Sequence, residues 1–464
     1  MEITAKQKTL LKDRAVVRWL TLLLVSLTMF TAYVASDIFS PLKPLLEQEN
    51  LWNSTEFGWF GSSYSMFNVF LGMLIFGGLI LDKKGIRFAG ILSCLLMVIG
   101  IAVKYWALNT SLFTSDTTIW FFGDEIKKEV FWVIMGYSTY GVGAEVAGIT
   151  VSKAIVKWFT GKSLALAMGL QLSLARLGSA AALIFSPMIA ARYHDVSMPV
   201  LITLIMLILG SVCFIVYCIY DKRFDRQVHQ TAMSDEESFN VKDVKGIITN
   251  PGFWLIALLC VMFYSAVFPF LKYAADLMVN KFDVATDLAG IIPGMLPFGC
   301  ILLTPLFGTV YDRVGHGADL MILGAVVITC VHLLFAASFV TYWVIAVILM
   351  VFLGIGFAMV PAAMWPSLAK IVPQRQFGTA IALTFFIQNI GLWGMPLLIG
   401  KVLDNYCVNP EYGVVEGVAK YDYTLPMLIF MSVCVVSVFI AVGIRVLDRK
   451  KHYGLQVANI KKSE

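Results

Sequence analysis

The feature that most constrains this chain is a succession of apolar runs, each about 20 residues long, separated by short polar stretches. A run of this length matches a helix that crosses the hydrocarbon core of a bilayer, where backbone groups must be hydrogen-bonded within the segment. Composition agrees, because 59% of residues are hydrophobic and 14% are charged, whereas soluble chains carry about 25% charged residues. The sequence therefore predicts an all-α membrane protein.

Counting the apolar runs along the chain predicts twelve transmembrane helices. The even number places both termini on one side, and Lys and Arg are concentrated in the termini and loops of that side, so we expect both termini in the cytoplasm. The predicted spans are 17–39, 57–81, 88–108, 130–152, 163–188, 198–220, 251–275, 287–311, 319–340, 343–368, 376–400 and 424–446.

A polar stretch in the middle of the chain separates two sets of six spans. Its sequence, DKRFDRQVHQTAMSDEESFN, has few apolar residues and reads as a linker. The predicted organisation is a tail at 1–16, a six-helix bundle at 17–220, a linker at 221–250, a second six-helix bundle at 251–447 and a tail at 448–464.

A loop motif occurs twice, once in each half. GLILDKKGIR follows span 2 and GTVYDRVGHG follows span 8. In each copy one glycine permits close helix approach, an acid can meet a helix N-terminus, a base can pair across the gap between the halves, and a second glycine permits the turn. We predict a gating motif formed by Gly78, Asp82, Lys83, Gly85, Arg87, Gly308, Asp312, Arg313 and Gly315.

Twelve spans in two halves, with this motif after spans 2 and 8, resemble the major facilitator superfamily over the whole chain. The resemblance implies two six-helix bundles around a central cavity, and alternating access by rocking of the halves. The first copy of the motif departs from the family pattern at Ile86, and the second copy has His316 in place of its terminal basic pair.

Two charges lie deep inside apolar spans, Glu145 in span 4 and Arg176 in span 5. A charge at bilayer depth costs about 2.5–3.5 kcal/mol or more, so it normally faces a cavity and has a partner. From the helical rise, Glu145 lies about 12 Å and Arg176 about 20 Å from the cytoplasmic surface. They can form a structural ion pair that locks spans 4 and 5, or they can bracket a small zwitterion.

The segment GAEVAGITVSKAIVKWFTGKSLALAMGLQLSLARLGS, residues 143–179, resembles the branch of the superfamily that contains lysosomal dipeptide transporters. In that branch the acid and the arginine at these positions are implied to hold the two peptide termini. Carried over, Glu145 binds the N-terminal ammonium and Arg176 the C-terminal carboxylate. Further candidates for the substrate site are amphipathic or polar residues within spans: Tyr33, Tyr64, Asn68, Tyr140, Phe268, Trp365 and Gln388.

Four other charged residues are expected to have structural roles. Asp37 ends span 1 and is expected to be solvated. Lys272 and Asp276 lie one helical turn apart in span 7 and are expected to pair with each other. Lys104, near the outer end of span 3, is expected to reach toward the membrane surface.

No pattern of enzyme chemistry stands out in the sequence, and neither a metal site nor a cofactor is expected. The hypothesis is a secondary transporter of small peptides, most plausibly dipeptides, that works as a monomer in the lipid bilayer without nucleic acid. Two alternatives stay open. One is an organic-anion transporter in which Glu145 is only the counter-ion of Arg176, and the other is a non-transporting scaffold or sensor.

The expected location is a bacterial inner membrane. Leu10 and Leu11 lack the upstream acid of the dileucine signal that animal lysosomal relatives carry, and the loops are compact.

Overall fold

The computed structural model describes residues 11–48, 51–110, 117–159, 163–228, 241–373, 376–408, 414–415 and 418–458. The N-terminal half contains helices α1 (Ala15–Asp37), α2 (Lys43–Gln48), α3 (Ser54–Phe70), α4 (Met73–Asn109), α5 (Lys128–Phe159), α6 (Leu164–Tyr193) and α7 (Met198–Val228). A short helix, α8 (Val241–Ile248), precedes the C-terminal half. That half contains α9 (Pro251–Phe282), α10 (Ile291–Val314), α11 (Gly317–Ala336), α12 (Trp343–Ile371), α13 (Phe377–Tyr406) and α14 (Thr424–Lys451).

Two antiparallel hairpins are additions that the sequence did not predict. They are formed by β1 (Thr118–Phe121) with β2 (Asp124–Lys127), and by β3 (Val414–Val415) with β4 (Val418–Ala419). Both lie at the end of the helices opposite the chain termini. We call this end the far face, and the end that carries Ala15 and Lys451 the terminal face.

The second predicted span, 57–81, is not one straight helix. The chain breaks after Phe70, where Gly72 adopts a φ of 60°, and the pieces on either side are bent by 60°. The helix then runs on as α4 through a turn at Gly85, whose φ is 80°. Positive φ values of this kind favour glycine, which has no Cβ to clash with the following carbonyl.

Ten of the described helical segments are long and apolar enough to cross a membrane, and eleven if the bent pair counts as one span. Helix α5 is the remaining member of the predicted twelve. It has 32 residues and is therefore about 48 Å long. It falls short on composition because its central part is rich in glycine, tyrosine and serine and carries Glu145.

Within each half the helices pack as a bundle. Helix α5 lies against α4 and α3, and α1 lies against α6 and α7. In the other half, α11 packs against α12 and α14, and α9 packs against α13 and α14. The two halves meet mainly where α3 contacts α13 and where α6 contacts α10.

Those contacts between the halves lie toward the far face. A Cβ added at Gly58 of α3 would lie 2.8 Å from the Pro396 carbonyl oxygen of α13, and one added at Gly290 would lie 1.8 Å from the Leu183 carbonyl oxygen. At the terminal face, by contrast, a Cβ added at Gly78 or Gly308 would have no atom within 4 Å. The structure is therefore closed at the far face, and neither Gly78 nor Gly308 contacts the opposite half at the terminal face.

Lys104 does not reach the membrane surface as the sequence suggested. Its side chain is fully buried, and its Nζ lies 4.1 Å from the ring centroid of Phe39 and 4.4 Å from that of Phe60. The expectation was wrong because aromatic rings from α3, from α5 and from Phe39, which follows α1, enclose this part of α4 and hold the ammonium by cation–π attraction.

Candidate functional site

Glu145 lies on α5 in the interior between the halves, and its side chain is half-buried. The Tyr64 hydroxyl of α3 donates a hydrogen bond of 3.1 Å to Glu145 Oε1. The neighbouring glycines bring the helices together, since a Cβ at Gly141 would lie 2.0 Å from the Tyr64 carbonyl oxygen. The small residues beside Glu145 therefore serve close helix packing, which fixes the carboxylate relative to α3.

Arg176 lies on α6 and is also half-buried. Its guanidinium carbon lies 5.8 Å from the ring centroid of Tyr33, 5.5 Å from that of Phe268 and 5.4 Å from that of Phe357. These rings come from α1, α9 and α12, so both halves contribute to the cage. Aromatic faces stabilise a desolvated guanidinium without taking up its N–H donors.

Glu145 and Arg176 are not joined to each other. Among the residues that the structure describes, no ion pair within 4.0 Å connects them, and the carboxylate is instead bonded to Tyr64. The Tyr33 hydroxyl lies within electrostatic reach of both charges. A carboxylate and a guanidinium of opposite sign thus lie in one interior, and Tyr33 contacts the guanidinium.

The other seven sequence-predicted candidates differ in their surroundings. Tyr33, Tyr64 and Phe268 contact one of the two charges, as described above. Trp365 is half-buried and packs on Phe385 at a centroid distance of 5.0 Å. The remaining three are buried: Tyr140 donates to the Ala32 carbonyl oxygen, Gln388 accepts from the Cys260 thiol at 3.3 Å, and Asn68 is 1% exposed.

Sequence reasoning missed Phe357, which completes the cage around Arg176. It also misjudged Asp37 and Lys272. Asp37 is not simply solvated, because it accepts a 2.6 Å hydrogen bond from Ser179 Oγ and lies 3.4 Å from Lys272 Nζ. Lys272 therefore pairs with the opposite half rather than with Asp276. A usable signal existed, since Lys272 follows Phe268 by one helical turn and so points to the same side of α9.

Asp276 belongs to a second buried cluster at the far face. Lys43 Nζ lies 2.6 Å from Asp276 Oδ2 and 2.5 Å from Glu47 Oε1. The Tyr423 hydroxyl also donates to Asp276, and Ser54 Oγ donates to Glu47 at 2.8 Å. We call Lys43, Glu47 and Asp276 the far-face latch, because Lys43 and Glu47 come from the N-terminal half and Asp276 from the C-terminal half.

In the first copy of the predicted gating motif, Lys83 is exposed. Arg87 pairs within its own half, at 3.2 Å from Asp221 and 2.8 Å from Asp225 of α7. The side chain of Asp82 lies outside the described residues. Arg87 thus holds the loop to α7.

In the second copy, Gly315 has a φ of 83°, the counterpart of Gly85, and Arg313 is exposed. In the described part of the chain, neither Lys83 nor Arg313 forms an ion pair with an acid of the opposite half. A cross-gap pair would require the terminal face to close.

Two helical halves that close at one face around opposite interior charges define a carrier that exposes its site to one side of a membrane at a time. Comparison with known proteins agrees. Residues 25–394 match the model of the Major Facilitator Superfamily, and the chain belongs to this family.

Two relatives with curated names cover most of the chain. The Lysosomal dipeptide transporter MFSD1 of Pongo abelii is 30% identical over 405 residues, which is 85% of this chain and 81% of the relative. The protein of the same name from Homo sapiens is 30% identical over 400 residues, which is 84% of this chain and 80% of the relative.

Solved structures share the fold at low identity. The D-xylose-proton symporter superposes with a TM-score of 0.68 at 15% identity, covering 92% of this chain and 97% of that chain. A bacterial homologue of the human lysosomal transporter Spinster, in an inward-facing and occupied conformation, superposes with a TM-score of 0.65 at 16% identity. It covers 92% of this chain and 96% of that chain. The protein is therefore a multi-pass membrane transporter for a small molecule.

Proposed function

We propose that this transporter carries small peptides, most specifically dipeptides, by alternating access. Glu145 holds the N-terminal ammonium of the peptide, and Arg176 holds its C-terminal carboxylate. The substrate class is supported by the two relatives at 30% identity, which are named as dipeptide transporters. The segment 143–179, which contains both charges, carries the sequence resemblance to them.

The observation that carries the proposal is the separation of the two charges. Glu145 and Arg176 share an interior but bond to different partners, a tyrosine hydroxyl and three aromatic faces. The aromatic rings take up no N–H donor of the guanidinium, and among the described residues none of these donors has a hydrogen-bond acceptor, so its planar fork is available for a carboxylate. A zwitterion with its charges at opposite ends supplies both missing partners, and the fixed separation selects for peptide length while leaving side chains free.

The organic-anion alternative requires Glu145 to act as counter-ion to Arg176. The bond from Tyr64 to Glu145 and the lack of an ion pair between the two charges, among the described residues, favour the zwitterion instead. A scaffold without transport is disfavoured for another reason. Buried charges at bilayer depth are costly, and a protein that only binds partners at its surface has no need of them.

The decisive experiment is thermal stabilisation of the purified protein by a panel of ligands. The panel contains dipeptides, N-acetylated and C-amidated dipeptides, tripeptides, free amino acids and dicarboxylates. A ligand at 100 times its dissociation constant should stabilise the protein by about 2.7 kcal/mol. We expect only dipeptides with both termini free to do so, and we expect Glu145→Gln and Arg176→Ala each to abolish the shift.

Arg192→Ala serves as the matched control, because Arg192 is an exposed cation on the same helix as Arg176. This variant should keep the full response. If dicarboxylates stabilise the protein and Glu145→Gln leaves that response intact, the anion carrier replaces the peptide carrier. If no ligand in the panel stabilises the wild-type protein, the substrate assignment is wrong.

We further infer that the terminal face is cytoplasmic and that the membrane is a bacterial inner membrane. The basic residues of the terminal face, such as Lys83 and Lys157, support the orientation. A cysteine introduced in the C-terminal tail of a cysteine-free variant should react with an impermeant maleimide only after the cells are opened. Labelling of intact cells would reverse the orientation.

A further inference from the structure

The side chains around Arg176 form two layers one helical turn apart. On α1, Asp37 follows Tyr33 by four residues, and on α9, Lys272 follows Phe268 by four. Such spacing keeps each pair on one side of its helix, about 6 Å apart along the axis. The layer of Tyr33, Arg176 and Phe268 is therefore backed, on the side of the far face, by a layer that contains Asp37 and Lys272.

Asp37 is held by more than Lys272. Ser179 Oγ of α6 donates a 2.6 Å hydrogen bond to its Oδ2, while Lys272 Nζ lies 3.4 Å from its Oδ1. Asp37 is also within electrostatic reach of Arg176. One carboxylate thus lies near two cations, and its strongest geometric contact is with a neutral hydroxyl.

Lys272 is held loosely. Its closest contact is the Ser36 carbonyl oxygen at 3.0 Å, and its contacts with the Tyr137 hydroxyl and Asp37 are longer, at 3.3 Å and 3.4 Å. A charge-assisted bond of full strength is about 2.7–2.9 Å long. The Lys272 side chain is 12% exposed and that of Asp37 is 24% exposed, so neither side chain is completely sealed from solvent.

We propose that Lys272 is a second ligand for the substrate carboxylate and that Asp37 competes with the substrate for it. This inference rests on the proposed function, because it concerns the carboxylate that Arg176 binds. When the substrate arrives, Lys272 turns from Asp37 to the carboxylate, and Ser179 continues to hold Asp37. Since Asp37 and Lys272 belong to opposite halves, substrate binding then loosens a contact that keeps the far face closed.

The charges of the site supply the driving force. Without substrate, Lys272 is paired with Asp37, whereas Arg176 contacts aromatic rings and has no carboxylate within 4.0 Å among the described residues. A second carboxylate in the same place gives each cation a partner of its own. In a site shielded from bulk water this exchange is worth more than it would be in solution.

The test compares two variants that break the same ion pair, Asp37→Asn and Lys272→Gln. Any effect that acts only through loss of the pair should change dipeptide affinity in the same direction in both variants. Competition predicts opposite directions. Asp37→Asn frees Lys272 and should tighten dipeptide binding about fivefold or more, whereas Lys272→Gln should weaken it by a similar factor, as expected for coupled sites.

Binding is measured by isothermal titration calorimetry of the purified protein with one dipeptide that stabilises the wild type. The double variant should bind like Lys272→Gln alone, since Asp37 then has no cation to withhold. Lys272→Arg keeps the cation, so its dipeptide affinity should stay within about twofold of the wild type. A twofold change is smaller than the roughly fivefold change that marks the lower end of coupling between sites.

Affinity changes of the same sign in both single variants, or no change in either, would overturn the competition while leaving the proposed function standing. A wild-type protein that binds no dipeptide would overturn both proposals, and the two failures are therefore told apart by the wild-type titration.

Discussion

Removing the ammonium from the far-face latch should selectively destabilise the closed far face. Lys43 is fully buried, and its Nζ lies 2.5 Å from Glu47 and 2.6 Å from Asp276. The change Lys43→Met keeps most of the side-chain volume but leaves two carboxylates facing each other without a cation. Breaking a buried ion pair in this way costs about 3–5 kcal/mol.

The cost applies mainly to one conformation. In the closed far face the two carboxylates lie together in the protein, whereas separation of the halves lets each one meet water. We take about 3 kcal/mol, the lower end of the range, because the Glu47 side chain is 8% exposed and is therefore not completely desolvated. At 1.4 kcal/mol per factor of ten, the ratio of closed to open should fall by about 100-fold.

The assay uses a cysteine at the seam between the halves. Ser62 of α3 is fully buried, and its Oγ accepts a 3.0 Å hydrogen bond from the Leu397 amide of α13. Ser62→Cys should therefore react with a water-soluble maleimide only when the far face opens. In the Lys43→Met background we expect labelling to be at least about tenfold faster. This threshold is one tenth of the predicted change in the ratio of closed to open.

Two controls make this result decisive. Each background without Ser62→Cys reports labelling of the eight native cysteines. Lys420→Met removes a cation from the same face, but its partner Asp283 is 85% exposed at 3.7 Å, so its loss should cost about 1 kcal/mol at most. If Lys43→Met labels no faster than Lys420→Met, the buried latch does not hold the far face closed.

Adding Glu47→Gln and Asp276→Asn to Lys43→Met should slow the labelling again, since no unpaired charge then remains.

Two further predictions concern glycines at close contacts, and thermal melting measures both. In Gly400→Ala the new Cβ would lie 2.2 Å from a carbonyl oxygen of α3, so the closed structure should lose about 1–3 kcal/mol of stability. Gly394→Ala, on the same helix, places its Cβ in open space and should be neutral or slightly stabilising. Equal melting temperatures would refute the contact. Gly85→Ala should cost about 1–3 kcal/mol through its backbone conformation alone, since a φ of 80° with a ψ of 172° is open essentially to glycine. Gly315→Ala should cost more, because its Cβ would also lie 2.4 Å from a carbonyl oxygen of the C-terminal tail, and the reverse order would refute that reasoning.

Much of the fold follows from the sequence for physical reasons. A bilayer forces long apolar helices, and most of the predicted spans correspond to single helices in the structure. The break near Gly72 was not predictable from hydropathy, because the apolar run continues through it. The two interior charges were recognisable for a similar physical reason, since a charge in an apolar span is costly unless it has a partner or faces a water-filled cavity.

The partners of the charges were not predictable in this way. Local spacing favoured pairing of Lys272 with Asp276, one turn along α9. In the structure each of them bonds across to the other half, Lys272 to Asp37 and Asp276 to Lys43. The contact across the halves prevails because α9 lies against the N-terminal half at both positions, and spacing along α9 does not reveal which residues of the other half it meets.

The sequence by itself determined the family, the membrane-spanning architecture and the two interior charges, because hydropathy, repeated loop motifs and isolated charges are all properties of short segments. Only the tertiary structure decided that Glu145 and Arg176 stay apart, that three aromatic rings from both halves enclose the guanidinium, and that ion pairs between the halves close the far face. These features depend on which surfaces of distant helices meet, and the spacing of residues along one helix does not specify that.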